Sequence, residues 1–131
     1  MIVETSAIVA ILLDEPECTA FLEAIGAAEA PSTTVVAAFE AALSVGRALE
    51  DRERAGRLVP RLLDEIGVTV AGIEADAYDD VLAAYLRYGK GTGHPAQLNF
   101  GDCFSYAAAK RKGVPLLFKG RDIALTDVER A

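Results

Sequence analysis

Met1-Ile2-Val3-Glu4-Thr5-Ser6 opens the chain on three apolar residues, two of them β-branched, followed at once by a carboxylate. So short an apolar run reads as a buried strand, and Thr5 or Ser6 is placed to cap a helix beginning at Ala7. A strand that ends on an acid and turns directly into a helix suits the wall of a site. In open α/β sheets, ligands bind outside the carboxyl ends of the strands. Taken alone, Glu4 reads more simply as an acid that faces water. The residues brought beside it decide between the two.

Working outward, Ala7 to Leu13 continues as an apolar helix, broken at Asp14-Glu15-Pro16. A second helix carries Cys18, Phe21, Leu22 and Ile25 on one face and ends near Gly26 or Ala28. Thr33-Thr34-Val35-Val36 reads as a short strand handing over to a third helix, capped by Thr33 or Thr34 and running to about Leu49. Leu58, Leu62, Leu63 and Ile66 form the stripe of a fourth helix closed by Gly67, and Val68-Thr69-Val70 is a β-branched strand. A fifth helix is expected from Ile73 to about Tyr88, with Ala77, Val81, Ala84 and Tyr85 on one face. Gly89 to Pro95 is a glycine-rich, flexible loop. Asn99-Phe100-Gly101-Asp102 opens a sixth helix ending at Lys112-Gly113, Val114 to Phe118 is an apolar strand, and Lys119 to Ala131 is a short polar tail. Strands alternating with helices predict an α/β sandwich with a mostly parallel sheet, as one domain over residues 1–131.

Composition narrows the chemistry. Twenty acids against 13 bases give a net charge of −7, which argues against broad, non-specific nucleic-acid binding. It leaves room for an acid-lined metal site, where a divalent cation reverses the local sign. The basic residues are uneven, with Arg47, Arg52, Arg54, Arg57 and Arg61 in one stretch, which as a default form a solvated helical face. Mean hydropathy is +0.25, yet no apolar run approaches the ~20 residues that span a bilayer. No signal peptide is read at the start, so a cytoplasmic protein is expected. Cys18 and Cys103 fit no metal or redox spacing and read as reduced thiols. His94 is the only histidine and lies in the glycine-rich loop, where a mobile surface residue is the simpler reading; little is left for zinc.

Four acids stand where a strand end or a helix start would expose them at one sheet edge: Glu4, Glu40, Asp102 and Asp122. Clustered carboxylates repel one another and are costly to desolvate, so a site rich in them usually holds a cation. Oxygen donors without His or Cys suit Mg²⁺ or Mn²⁺. Each acid also has a plain structural role open to it. Asp102 would gain ~0.3–1 kcal/mol merely from the helix dipole, Glu40 would be a solvated helix residue and Asp122 a turn former. Spacing alone does not make the four converge.

Larger pieces of sequence carry more. Met1 to Ala7 followed by Asp14-Glu15-Pro16-Glu17 resembles the opening of PIN-domain ribonucleases of the VapC toxin family. Tyr88-Gly89-Lys90-Gly91 through His94-Pro95, then Leu98-Asn99-Phe100-Gly101-Asp102-Cys103-Phe104-Ser105-Tyr106-Ala107, is similar to the family's most specific segment, and Pro115 to Asp127 resembles another. The resemblance runs essentially end to end. It implies a PIN-like α/β/α sandwich with a short, twisted, mostly parallel sheet flanked by helices. It also implies an endoribonuclease that uses Mg²⁺ or Mn²⁺ to activate water on an RNA phosphodiester. A homodimer is implied, or larger assemblies with a VapB-type antitoxin that silences it, and no membrane. Position by position, Glu4 and Asp102 match the principal metal ligands, Glu40 and Asp122 the other acids, and Asp127 a nearby accessory acid. Thr5 or Ser6 orients a ligand or phosphate in this scheme.

One departure stands out. The first family acid is Asp, and here it is Glu4. The extra methylene moves the carboxylate by about 1.5 Å, whereas Mg²⁺ holds its ligands near ~2.0–2.1 Å in a strict octahedron. Reduced activity is therefore expected. A catalytically inactive PIN protein that binds an antitoxin and regulates its operon is the alternative, and a DNA nuclease or other phosphohydrolase a weaker third.

Overall fold

The computed structural model describes residues 1–131. Strand β1 (Ile2–Val3) leads into helices α1 (Thr5–Leu12) and α2 (Cys18–Ala27); β2 (Ser32–Thr34) leads into α3 (Val35–Ala48) and α4 (Arg52–Glu65). Strand β3 (Thr69–Ala71) is followed by a 3₁₀ turn (Ala75–Ala77), α5 (Tyr78–Tyr88) and α6 (Phe100–Lys112), then β4 (Leu116–Leu117) and a last 3₁₀ turn (Ile123–Leu125). The sheet is wholly parallel, in the order β3-β2-β1-β4, with Ile2 opposite both Ser32 and Leu116 and Val3 opposite Leu117.

The two-residue side-chain period of a strand explains the layering. Val3 and Leu117 face one side, joining Ile8, Phe21, Ile25, Ala41, Val59 and Leu63 from α1 to α4. Ile2, Leu116 and Phe118 face the other, joining Ala84, Tyr88, Cys103, Tyr106 and Ile123. The sheet is thus covered on both faces, as a parallel sheet requires. The order also fixes where a site can form. The chain winds outward from β1 through β2 to β3, then crosses back to lay β4 on the far side of β1. Between β1 and β4 the winding reverses, and the crevice at their carboxyl ends is the expected binding position.

Several boundaries differ from those read in the sequence. Helix α1 starts at Thr5, because Glu4 itself is the N-cap, accepting from the Ser6 backbone N–H at 2.7 Å. Only Leu116–Leu117 of the apolar 114–118 run pairs as a strand. On α5 the inward face is Ala84 and Tyr88, while Tyr85 is 46% exposed, so the stripe is rotated from the one expected. The expected start at Ile73 falls on irregular chain before the 3₁₀ turn. The tail is less polar in its role than in its composition: Ile123 is buried in the second core and Leu116 bridges to Arg130. The glycine-rich loop is closed at its base by a bridge from Gly89 to Leu98. His94 is engaged there, its Nδ1 accepting from the Ala96 N–H at 3.1 Å and its ring packing edge-on to Tyr88. Both cysteines are free, with Cys18 only half-buried.

Candidate functional site

Glu4 leaves the end of β1, and Lys119 to Asp122 leave the end of β4 beside it. Between them opens a cavity of about 680 Å³ lined by Glu4, Glu15, Glu40, Asp102 and Asp122, with Arg47, Lys119 and Arg121 as its cations. The four acids singled out in the sequence therefore border one cavity, contributed by two adjacent strand ends, the middle of α3 and the first turn of α6. Asp127 does not join them. Its Oδ1 accepts from the Tyr106 hydroxyl at 2.6 Å and its Oδ2 pairs with Arg87 at 3.2 Å, which fastens the tail to α5 and α6. That hydroxyl, with Lys110 and Arg87, holds the Asp127 carboxyl below its ordinary range. Asp127, expected as an accessory acid, lies outside this cavity, engaged by Tyr106, Arg87 and Lys110.

Local rules place each carboxylate. Glu4 Oε2 accepts from both the N–H and the hydroxyl of Ser6, and the Ser6 hydroxyl in turn accepts from the Lys119 N–H at 2.8 Å. Ser6 so ties the end of β1 to the loop after β4. Asp102 sits at the third position of α6 in a reciprocal capping box: its Oδ2 accepts from the Asn99 N–H, and Asn99 Oδ1 accepts from the Asp102 N–H, each at 2.9 Å. Thr5 donates to Glu40 Oε2 at 3.2 Å. Lys119 is bound at the rim, its Nζ 2.6 Å from Glu15 and 2.7 Å from Glu17. Neither Asn99 nor this Lys119 pair is among the residues singled out from the sequence. The Asn-x-x-Asp spacing at Asn99 is a signal for the first; an ion pair spanning 104 positions offers none.

The electrostatics are those of a site short of positive charge. Burial raises the Glu4 carboxyl above its ordinary value near 4.5, with repulsion from Asp102 adding to it and the Ser6 donors partly offsetting it. Burial likewise raises Glu40, again with Asp102 acting against ionisation, and the Thr5 hydroxyl opposing. Asp102 is raised by burial and by Asp122, against the Asn99 N–H. Cys103, next in the chain, is pushed up to about 11 by burial and is no nucleophile at neutral pH.

A divalent cation fits the chemistry of this donor set: carboxylate oxygens only, mutually repelling and partly desolvated. As the side chains stand, no three of them form a ready metal-holding group. Glu4 Oε2 is turned onto Ser6 and Asp102 Oδ2 onto the Asn99 N–H, which leaves the other carboxylate oxygens as the available donors.

A carboxyl raised in the folded state binds its proton more tightly than in the unfolded chain, so stability falls as pH climbs above that ordinary value. Glu4→Gln keeps a cap acceptor and removes the buried charge. In metal-free buffer it is expected to raise Tm at pH 7.5 by about 3–6 °C, the shift that ~1 kcal/mol produces in a domain of this size. The gain should fade toward pH 4. Equal effects at both pH values, followed by calorimetry, would contradict it.

A family model described as the PIN domain matches residues 1–129. Ribonuclease VapC42 of Mycobacterium tuberculosis is 43% identical over 131 residues, covering 100% of this chain and 98% of that relative. Ribonuclease VapC of Mycolicibacterium smegmatis is 45% identical over 130 residues, covering 98% and 97%. Among solved structures, M. tuberculosis VapC20, described as a sarcin-ricin loop cleaving toxin, superposes with a TM-score of 0.78 at 16% identity, over 99% of this chain and 97% of that one. A chain of a toxin–antitoxin complex from Klebsiella pneumoniae superposes with a TM-score of 0.66 at 14% identity, over 94% and 89%. At these identities the two structures bear on the fold.

Proposed function

Because the chain belongs to the PIN-domain family, as a VapC-type ribonuclease, we propose that its acid cavity hydrolyses RNA phosphodiesters with a divalent cation, Mg²⁺ or Mn²⁺. The observation that carries this reading is the gathering of Glu4, Glu40, Asp102 and Asp122 around one cavity at the switch point of the sheet. Glu4 and Asp102 are the principal metal ligands, with Glu40 and Asp122 completing the set. A bound divalent ion supplies Lewis acidity, lowering the pKa of water and offsetting phosphate charge. The chain's own residues do the rest. Thr5 and Ser6 fix the directions of Glu40 and Glu4 through their hydroxyls. The Asn99 capping box holds Asp102 in one rotamer, and Lys119 stays engaged with Glu15 and Glu17 at the rim.

Arg47 and Arg121 border the cavity and form no ion pair; Arg47 only donates to Ser44 Oγ at 3.2 Å. On this reading they receive phosphates flanking the cleaved bond, which offsets the poor match between RNA and a chain of charge −7. Arg47→Gln and Arg121→Gln are each expected to raise KM for an RNA substrate about 3–10-fold with kcat little changed. Each lost phosphate contact should flatten the slope of log K against log salt by about 0.7–0.9. An unaltered salt slope in both variants would contradict this.

The test of the main reading is cleavage of total RNA and of labelled oligonucleotides with Mn²⁺, with Mg²⁺ and with a chelator in excess. Cleavage by the first two and none with the last is expected. The partners we propose are an RNA substrate, a VapB-type antitoxin that silences the cavity, and a second copy of the chain. The supporting observation for the last two is the exposed apolar surface, including Phe39 at 63%, Leu86 at 64% and Phe100 at 70%. No helix is long and apolar enough to cross a membrane. We propose a cytoplasmic setting and one catalytic domain over residues 1–131, a span the PIN-domain match nearly fills.

One observation favours the second reading, an inactive PIN protein that binds an antitoxin and regulates its operon. It is the commitment of Glu4 Oε2 to the N–H and hydroxyl of Ser6. Absence of saturable Mn²⁺ binding would favour it.

A further inference from the structure

We propose that Gly101 is a positioning residue: its missing side chain is the space into which the Glu40 carboxylate extends from α3 to reach the first turn of α6. This rests on the reading of the acid cavity as the ribonuclease site. Gly101 is buried as the second residue of α6, with Asn99 as cap and Asp102 next to it. A Cβ built on Gly101 would lie 2.7 Å from Glu40 Oε1 and closer still to Oε2 and Cδ. All three nearest atoms belong to that one carboxylate. The volume a methyl group would take is therefore occupied by the acid itself.

The backbone gives no other reason for glycine. Gly101 lies within regular α-helix and is absent from the left-handed positions, unlike Gly113 at φ +63°. Alanine is the better helix former, so glycine here weakens α6 in exchange for room. The oxygen nearest that Cβ, Oε2, is also the one that accepts from the Thr5 hydroxyl, at 3.2 Å. Glu40 is thus held between α1 and the turn that carries Asp102, and any larger residue at 101 would push it out of that position. Gly101 touches neither RNA nor reacting atoms; it acts through Glu40.

The experiment is a double-mutant cycle of Gly101→Ala and Glu40→Asp, read by RNA cleavage under saturating Mn²⁺ and by crystal structures of the variants. Aspartate retracts the carboxylate by about 1.5 Å, one C–C bond, and so vacates the space a methyl group needs. Gly101→Ala is expected to lower kcat at least tenfold in the parent chain with KM nearly unchanged, and less than twofold in the Glu40→Asp background. Its Tm should not fall. The Gly101→Ala crystal structure should show the Glu40 carboxylate displaced from α6. In the Glu40→Asp background the shortened carboxylate should hold one position with or without the methyl. Equal losses in both backgrounds, or an undisplaced Glu40, would overturn the proposal. If the parent chain cleaves no RNA, the ribonuclease reading fails, and the crystal structures alone decide the role of Gly101.

Discussion

Asp102→Asn is expected to reduce RNA cleavage by about a thousandfold or more while leaving the fold intact. The size follows from the several kcal/mol that a metal-centred site supplies, with each ~1.36 kcal/mol worth a factor of ten. Asp102 is the acid around which the others are arranged: Glu4, Glu40 and Asp122 all interact with it electrostatically. Asparagine is nearly the same size and retains an oxygen that can accept from the Asn99 N–H, so the capping box at the start of α6 survives. It also removes a carboxylate whose ionisation burial opposes, so Tm near neutral pH should hold or rise. Cleavage and thermal unfolding measured on the same preparation check both halves. Activity above a tenth of the parent's would show that Asp102 is not a principal ligand.

Glu4→Asp is expected to act in the opposite direction, raising cleavage and Mn²⁺ affinity about tenfold or more. The glutamate arm is long enough for Oε2 to fold back onto both the N–H and the hydroxyl of Ser6. Aspartate is among the preferred N-cap residues, so the shorter acid would still cap α1. It would do so with a carboxylate drawn back by about one bond length, leaving its second oxygen a different approach to the cavity. Titration of cleavage against Mn²⁺ in both chains separates affinity from turnover. If Glu4→Asp cleaves no faster than the parent at any Mn²⁺ concentration, the extra methylene is not what limits this site.

How much of the molecule is legible in its sequence depends on the range of the interaction. The alternation of strands and helices, a threonine at 33 or 34 as the cap of α3 and Asn99 at the opening of α6 are local signals, and the structure has Thr34 and Asn99 as those caps. Glu4 as the cap of α1 is not legible in this way, because Thr5 and Ser6 are equally good cap types and only backbone geometry separates them. The rotated face of α5 escapes for a related reason: Tyr85 and Tyr88 both suit an apolar stripe, and packing against Tyr106 and His94 selects Tyr88.

The site divides in the same way. Four acids can be named from their places at strand ends and helix starts, but their meeting depends on β4 crossing back beside β1, which pairing order alone determines. Asp127, matched by the resemblance only to a nearby accessory acid, lies outside the cavity, claimed by Tyr106, Arg87 and Lys110. Gly101 stays hidden because its contribution is an absence. Only the placement of Glu40, 61 positions earlier in the chain, gives that absence a purpose.

The most direct test of the central claim is calorimetric titration of Mn²⁺ into the parent chain and into Asp102→Asn. Saturable binding by the parent, lost in Asp102→Asn while both unfold at similar temperatures, is the predicted result. Equal binding by both, or none by the parent, would contradict a divalent cation held by the acids at the end of β1 and the start of α6.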